Sequence, residues 1–458
     1  MFSLNLTNFN KEGEIFLKIG LPILGSQLVM YGMTTTDYIM AGYASSSDLA
    51  GVGLAAAIFN PAFFLSAGVM FGITPIIAQL YGAKDYALIK VKSRKFLWTA
   101  LIVGVIFFIF LRSSGFIFDF LESERDMLEI STGYLSAISF GAIPMTLFQA
   151  LRGYSEGITK TKVVFFLNLF AFLLNIPLNY LFIFYFDLGG VGCGVATALV
   201  AWIILIIFFL ITKFSKTYKK ISLYGKFIWP DISSNIELLK LGIPISFGIF
   251  VELSMFSGAA LIISFFGANT LAAHTVAINL VGLLFMIPLS LGLCSAVRVG
   301  NLIGEKKLLQ ANYAANFSMR ISFFLALINF LVIIFFHSFL VGLYTRDIDV
   351  AEIAVTLLML AAIFQIPDAI GFSAIGSLRG HKDTFATMVI MIISYWLVAL
   401  PLGMFLAFNS NGLFPDGAQG IWIGMIFGII VSAVLNSMRL RYKKNRLKQL
   451  FKLRSNEV

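Results

Sequence analysis

Apolar runs long enough to cross a bilayer follow one another along almost the whole chain, parted by short polar connections. A helix needs roughly 20 apolar residues to span the hydrocarbon. The runs are continuous, whereas the strands of a membrane barrel alternate apolar and polar positions. The pattern therefore predicts transmembrane helices at 14–41, 50–80, 96–118, 131–152, 163–186, 190–212, 236–265, 270–303, 314–343, 350–378, 385–408 and 417–438, twelve in all. The expected fold is an all-α polytopic membrane protein. Composition agrees, since only 12% of the 458 residues are charged and 59% are hydrophobic, against roughly 25% charged in a soluble chain.

Charge sorts the connections into two kinds. Lys84, Lys90, Lys92, Arg94 and Lys95 follow the second span, Arg152, Lys160 and Lys162 the fourth, and Lys213, Lys216, Lys219, Lys220 and Lys226 the sixth. Lys306 and Lys307 follow the eighth, Arg379 and Lys382 the tenth, and a run of Lys and Arg from Arg439 to Arg454 the twelfth. The alternate connections 43–49, 186–190 and 266–270 hold no basic residue, and 122–129 and 345–352 are mainly acidic. Basic residues collect on the cytoplasmic side of a membrane protein, so both termini are expected there. The net charge of +10 is thus a mark of topology and excludes a nucleic-acid partner, while the tail is expected to attract anionic lipid headgroups. No cleavable signal peptide precedes the first span, which is expected to serve as its own insertion signal.

The chain is also written twice. Gly20-Leu21-Pro22 matches Gly242-Ile243-Pro244 at a spacing of 222 residues, and the same spacing joins Leu49-Ala50 to Leu271-Ala272 and Lys84 to Lys306. Further on, "ALRG" (150–153) answers "SLRG" (377–380), "IPLN" (176–179) answers "LPLG" (400–403), and Gly189 and Gly192 answer Gly417 and Gly420. Two six-helix lobes in one orientation follow: 1–212, a polar cytoplasmic linker 213–235, 236–438, and a basic tail 439–458. Such a parallel repeat is a plan on which alternating-access transporters are built.

Against this apolar background three acids stand out. At 1.5 Å per residue, Glu252 lies roughly 20 Å from the outer end of the seventh span and Asp368 roughly 22 Å from the outer start of the tenth. Asp37 is shallower, roughly 7 Å from the outer end of the first. A carboxylate at a helix centre is costly and usually marks an ion or substrate path. Pro367 removes the helical bond to the carbonyl of Ile363, so a broken tenth span lining a cavity is expected, with oxygens suited to a hard cation. Asn175 and Asn179, one turn apart around Pro177, form a candidate partner segment for Asp37.

Weaker signals resolve the other way. "GVGCGV" (190–195) opens a membrane span with no strand before it, so close helix packing is expected rather than dinucleotide binding. Cys193 and Cys294 have neither metal nor redox spacing and read as small buried residues. "GFSAIG" (371–376) lacks a base geometry with His274, His337 or His381, so no enzyme is expected. No nucleotide-binding motif is present, which leaves ion coupling as the energy source for any active transport.

The stretches "TTTDYIMAG" (34–42), "QALRGYSEGITKTK" (149–162), "NIPLNY" (175–180), "GGVGCGVATA" (189–198), "FVELSMF" (250–256), "LAAHTVAINL" (271–280), "RVGNLIGEKK" (298–307) and "SLRGHKDT" (377–384) together resemble the multidrug and toxic compound extrusion family, and within it the NorM-like branch. The resemblance implies an efflux antiporter of the bacterial inner membrane, a monomer without cofactor. It would export organic cations, amphipathic drugs and dyes in exchange for Na⁺ or H⁺. It further implies that Glu252 and Asp368 bind the coupling Na⁺ or proton, that Asp37, Asn175 and Asn179 form a proton or substrate cluster, and that Asp347 contacts drug. Phe364 stands where relatives place a tyrosine in the cation site. A lipid-linked oligosaccharide flippase of the same superfamily is the alternative; it would favour a cavity lined with Arg and Lys.

Overall fold

The computed structural model describes residues 6–120, 125–221, 223–225, 228–230, 232–408 and 417–455, and among these there is no strand. Glu122, Glu124 and Lys226, and the side chains of Lys448, Lys452 and Arg454, lie outside the described residues. The helices of the first half are α1 (Leu6–Ala44), α2 (Ser46–Phe71), α3 (Ile73–Gly82), α4 (Tyr86–Ser113), α5 (Arg125–Ser139), α6 (Ala142–Gly157), α7 (Thr161–Tyr180) and α8 (Gly189–Phe214). Those of the second are α9 (Ile232–Ile263), α10 (Ala268–Gly304), α11 (Leu308–Gly342), α12 (Ile348–Gly380), α13 (Thr384–Met391), α14 (Leu400–Ala407) and α15 (Gly417–Ser455). Among the described residues eleven helical stretches are long and apolar enough to cross a membrane, and the bent pair α5 and α6, taken as one span, makes twelve.

That bend has a local cause. The two helices meet at 51°, and Pro144 has no N–H to return to the carbonyl of Phe140. The freed carbonyl accepts instead from the indole Nε1 of Trp202 at 3.0 Å. Pro367 behaves differently from expectation. α12 runs through it without a break from Ile348 to Gly380, because neighbouring turns hold the helix when one bond is lost. The irregular turns lie elsewhere, in two wide π-helical segments at Leu181–Tyr185 and Ile392–Ala399.

Packing divides the chain into two compact units, one of Gly25–Ser246 and one of Met1–Leu24 with Phe247–Val458. Each change-over falls within a helix, three residues after the equivalent prolines Pro22 and Pro244. In the second unit the start of α1 is tied down by Glu12, which accepts from Arg298 at 2.6 and 2.9 Å. The polar stretch after α8 belongs to the first unit. There the guanidinium of Arg94 donates to the carbonyl of Tyr224 at 2.6 Å, and the Tyr154 hydroxyl to that of Ile221 at 2.7 Å.

The repeat is visible in the backbone. Lys84 and Lys306 take positive φ of 59° and 60°, Thr159 and Lys382 of 62° and 58°, and Gly189 and Gly417 of 52° and 60°. These pairs correct one match read from the sequence. α6 ends at Gly157 and α12 at Gly380, so Gly153 and Gly157 correspond to Gly376 and Gly380. "ALRG" and "SLRG" are therefore one helical turn out of register, and the place of Glu156 is taken in the second half by Arg379. A motif match slid by one turn keeps the same helix face, which is why the sequence alone accepted it.

Glycine works as close packing in both halves. A Cβ on Gly376 would run into the backbone of Gly292, where α12 crosses α10. "GVGCGV" does the same: a Cβ on Gly192 would stand 2.7 Å from the carbonyl carbon of Phe182. At the start of α8 the Gly190 N–H donates to Asp48 at 2.6 Å, a carboxylate at a helix N-terminus.

Candidate functional site

Two buried carboxylate clusters form, one in each unit. In the first, α1 carries Asp37, 8% exposed, against Asn175 and Asn179 of α7, both fully buried. The Asn179 amide donates to Asp37 at 2.6 Å and to the Asn175 oxygen at 2.9 Å. Pro177 lies between the two asparagines, and the π-helical segment begins two residues after Asn179. The Asn175 amide and the Thr197 hydroxyl also face the Asp37 carboxylate, whereas the Asn179 oxygen stays buried without a partner among the described residues. The cluster therefore gathers donors around the carboxylate and keeps one spare acceptor, where buried polar groups normally find a partner.

The second cluster centres on Asp368 of α12, 4% exposed. It opens on a small crevice lined by Pro367, Gly371, Phe372, Tyr395 and Ser432. Tyr395 comes from the second π-helical segment, so the wide turn brings a phenol to the acid. Glu252 of α9 is half-buried, and its charge and that of Asp368 act on each other. Neither carboxylate makes a hydrogen bond or ion pair to another described residue. Two like charges in a low-dielectric interior repel strongly, so this pair calls for a cation or a proton.

The remaining sequence candidates fall in different places. Phe364, one turn before Asp368, is buried between Phe256 and Trp422 at ring-centroid distances of 6.1 and 6.2 Å. Trp422 in turn donates to His274 at 3.1 Å. Asp347 caps α12, accepting from the N–H groups of Asp349 and Val350 at 3.0 and 3.2 Å; it belongs to neither cluster. Ser373 of "GFSAIG" is bonded to Ser318 at 3.2 Å, within a buried hydroxyl group that ties α11 to α12.

Sequence reading missed Gln365. It is fully buried on α12, three residues before Asp368, and both its amide atoms lack partners among the described residues. A glutamine inside "AAIFQIPDAIG" was a readable signal, masked by the acid beside it. Tyr395 and Ser432 gave no such signal, because only the packing of distant helices brings them to Asp368.

Known proteins place this architecture. The MatE family model matches residues 22–181 and again 244–405, so the second match begins 222 residues after the first. The chain is 34% identical over 439 residues to a protein of Photobacterium profundum named multidrug resistance protein NorM, covering 95% of this chain and 96% of that one. It is 36% identical over 440 residues to the Vibrio cholerae protein of the same name, covering 94% and 96%. The fold is that of a solved eukaryotic MATE transporter, at a TM-score of 0.85 and 19% identity over 96% of this chain and 100% of that one. Two family matches, one per repeat, on an all-helical membrane fold establish that the chain belongs to the MatE family.

Proposed function

We propose that the chain is a multidrug efflux antiporter that exports organic cations in exchange for Na⁺ or H⁺ entering the cell. The relatives named as multidrug resistance proteins support the export of drugs. The observation that carries the coupling is the pair Glu252 and Asp368, two inward carboxylates without a partner among the described residues. In the outward-open state the pair takes up a cation, which removes the cost of enclosing net negative charge away from water. The protein then turns inward, where release of the cation and binding of drug alternate. Asp37 with Asn175 and Asn179 binds drug charge or carries a proton, and Asp347, exposed at its helix cap, meets drug at the entrance. Phe364 keeps an aromatic ring in the cation site without the hydroxyl of a tyrosine. The protein works as a monomer in the bacterial inner membrane.

The test is ethidium transport in proteoliposomes at clamped membrane potential, with Na⁺ and pH gradients imposed separately. Transport driven by either gradient in the wild type and lost in Asp368→Asn is the expected outcome. A folded wild type that moves no dye under either gradient would rule out the antiporter.

A further inference from the structure

Gln365 is fully buried within α12, yet neither end of its carboxamide has a partner among the described residues. A buried amide left unbonded is costly, so the group calls for a ligand. Helix geometry says where it stands. Residues three apart on a helix are neighbours, with Cβ atoms about 5–6 Å from each other, which puts Gln365 beside Asp368. The bonds of Ser318 and Ser322 to Ser373 fix the register of α11 against the antiparallel α12. Asn329 lies two turns beyond Ser322 on the same face of α11, and Gln365 about two turns before Ser373. The two carboxamides therefore share one depth to within about 5 Å. Asn329 is 5% exposed, and its amide nitrogen likewise has no partner among the described residues. At about 100° per residue, Gln365 points between the face of α12 turned to α11 and the face that carries Asp368.

We infer that Gln365 is a ligand of the coupling cation, placing its amide oxygen beside the Asp368 carboxylate, and that this oxygen makes the site select Na⁺ over H⁺. The inference rests on the antiport reading above. The needs of the two ions separate its role. A proton takes one lone pair, which Asp368 supplies alone. A hard metal cation takes several oxygens, and the carbonyl of a glutamine is a donor such ions accept. Tyr395 and Ser432 line the same crevice as Asp368 and bring two hydroxyl oxygens. The Gln365 oxygen adds ligation without adding charge, so it strengthens the hold on Na⁺ and leaves the affinity for a proton to the carboxylate. It has two lone pairs, one for the cation and one for the Asn329 amide, so a single ion satisfies both orphaned carboxamides.

The test is Gln365→Met, which keeps the length of the side chain and removes its oxygen. ²²Na⁺ binding to detergent-solubilised protein is measured in an Asp37→Asn background, so that the other cluster does not contribute. Affinity is expected to fall about 10-fold or more, the scale for a group lost at a metal site. The rise in melting temperature that Na⁺ binding brings should shrink with it, while the ion-free protein melts no lower than its parent. In proteoliposomes at zero potential, Gln365→Met alone retains ethidium transport driven by a pH gradient and loses that driven by Na⁺. Unchanged Na⁺ affinity would overturn the inference. Loss of both modes of transport would also overturn it, since the residue would then serve the shape of the site and not the choice of ion. So would a marked fall in the ion-free melting temperature, because the amide would then be bonded within the fold. Absence of Na⁺ binding in the Asp37→Asn parent, beside pH-driven transport in the wild type, would overturn the inference and leave the antiporter standing. Transport by the wild type under neither gradient would instead defeat the antiport reading itself.

Discussion

Asp37 and Asp368 are both acids in apolar helices, yet their surroundings differ. Asp37 accepts a short bond from Asn179, whereas Asp368 makes none to another described residue. The difference predicts opposite responses to substitution. Asn179→Leu removes the closest donor from a buried acid, at a cost of about 1–3 kcal/mol, and lowers the thermal unfolding temperature of the detergent-solubilised protein. Asp368→Asn removes charge from an unsatisfied site and leaves that temperature unchanged or raised. Equal melting temperatures for Asn179→Leu and the wild type would mean the bond contributes nothing to the fold. The acids themselves were legible in the sequence, because a carboxylate in an apolar run is conspicuous at any depth. Their partners were legible only when close along the chain: Asn175 and Asn179 flank a proline in one motif, while Tyr395 and Ser432 are far from Asp368 in sequence.

At the scale of elements, helix crossings depend on where side chains are absent. Gly376→Val would force a branched side chain into the backbone of Gly292, and close-packed interiors do not yield to such a change. The expected result is loss of the monodisperse peak in size-exclusion chromatography. Gly282, with nothing within 4 Å of a Cβ, is the control: Gly282→Ala keeps the peak and improves helix propensity by about 1 kcal/mol. A well-behaved Gly376→Val protein would refute the tight crossing. The contact between the turn that joins α12 to α13 and α15 at the basic side rests instead on charge. Burial pushes the Asp383 carboxyl up, but the Arg439 bond and Lys443 outweigh it and hold the carboxyl below the ordinary aspartate range. A depressed carboxyl stabilises the fold above its unfolded value and loses that contribution as pH falls through the folded one. Asp383→Asn should therefore melt lower than the wild type near neutrality, and the gap should close below about pH 4. A gap independent of pH would assign the effect to packing.

For the molecule as a whole, the alternation of basic and non-basic connections predicts which side each loop occupies. In a cysteine-free background, single cysteines at Lys84 and Lys382 should resist a membrane-impermeant maleimide in intact cells. Cysteines at Ser45 and Asp347 should react with it. Labelling at Lys84 from outside would invert the topology, and with it the direction of the proposed exchange.

The sequence by itself determined the membrane class, the number of spans and the repeat. Each of these follows from local quantities: hydrophobic length, loop charge and self-similarity at fixed spacing. It also exposed the acids, since a buried charge contradicts its own neighbourhood. Tertiary structure alone decided that α12 continues unbroken past Pro367, because one missing backbone bond breaks a helix only where packing leaves room for it. It alone set the true register of the repeat, in which Arg379 takes the place of Glu156, because a slide of one turn leaves the pattern of a helix face unchanged. Whether a buried charge has a partner is likewise a matter of packing. Arg152 and Arg379 stand in the same LRG triplet, and only the fold gives one of them an acid.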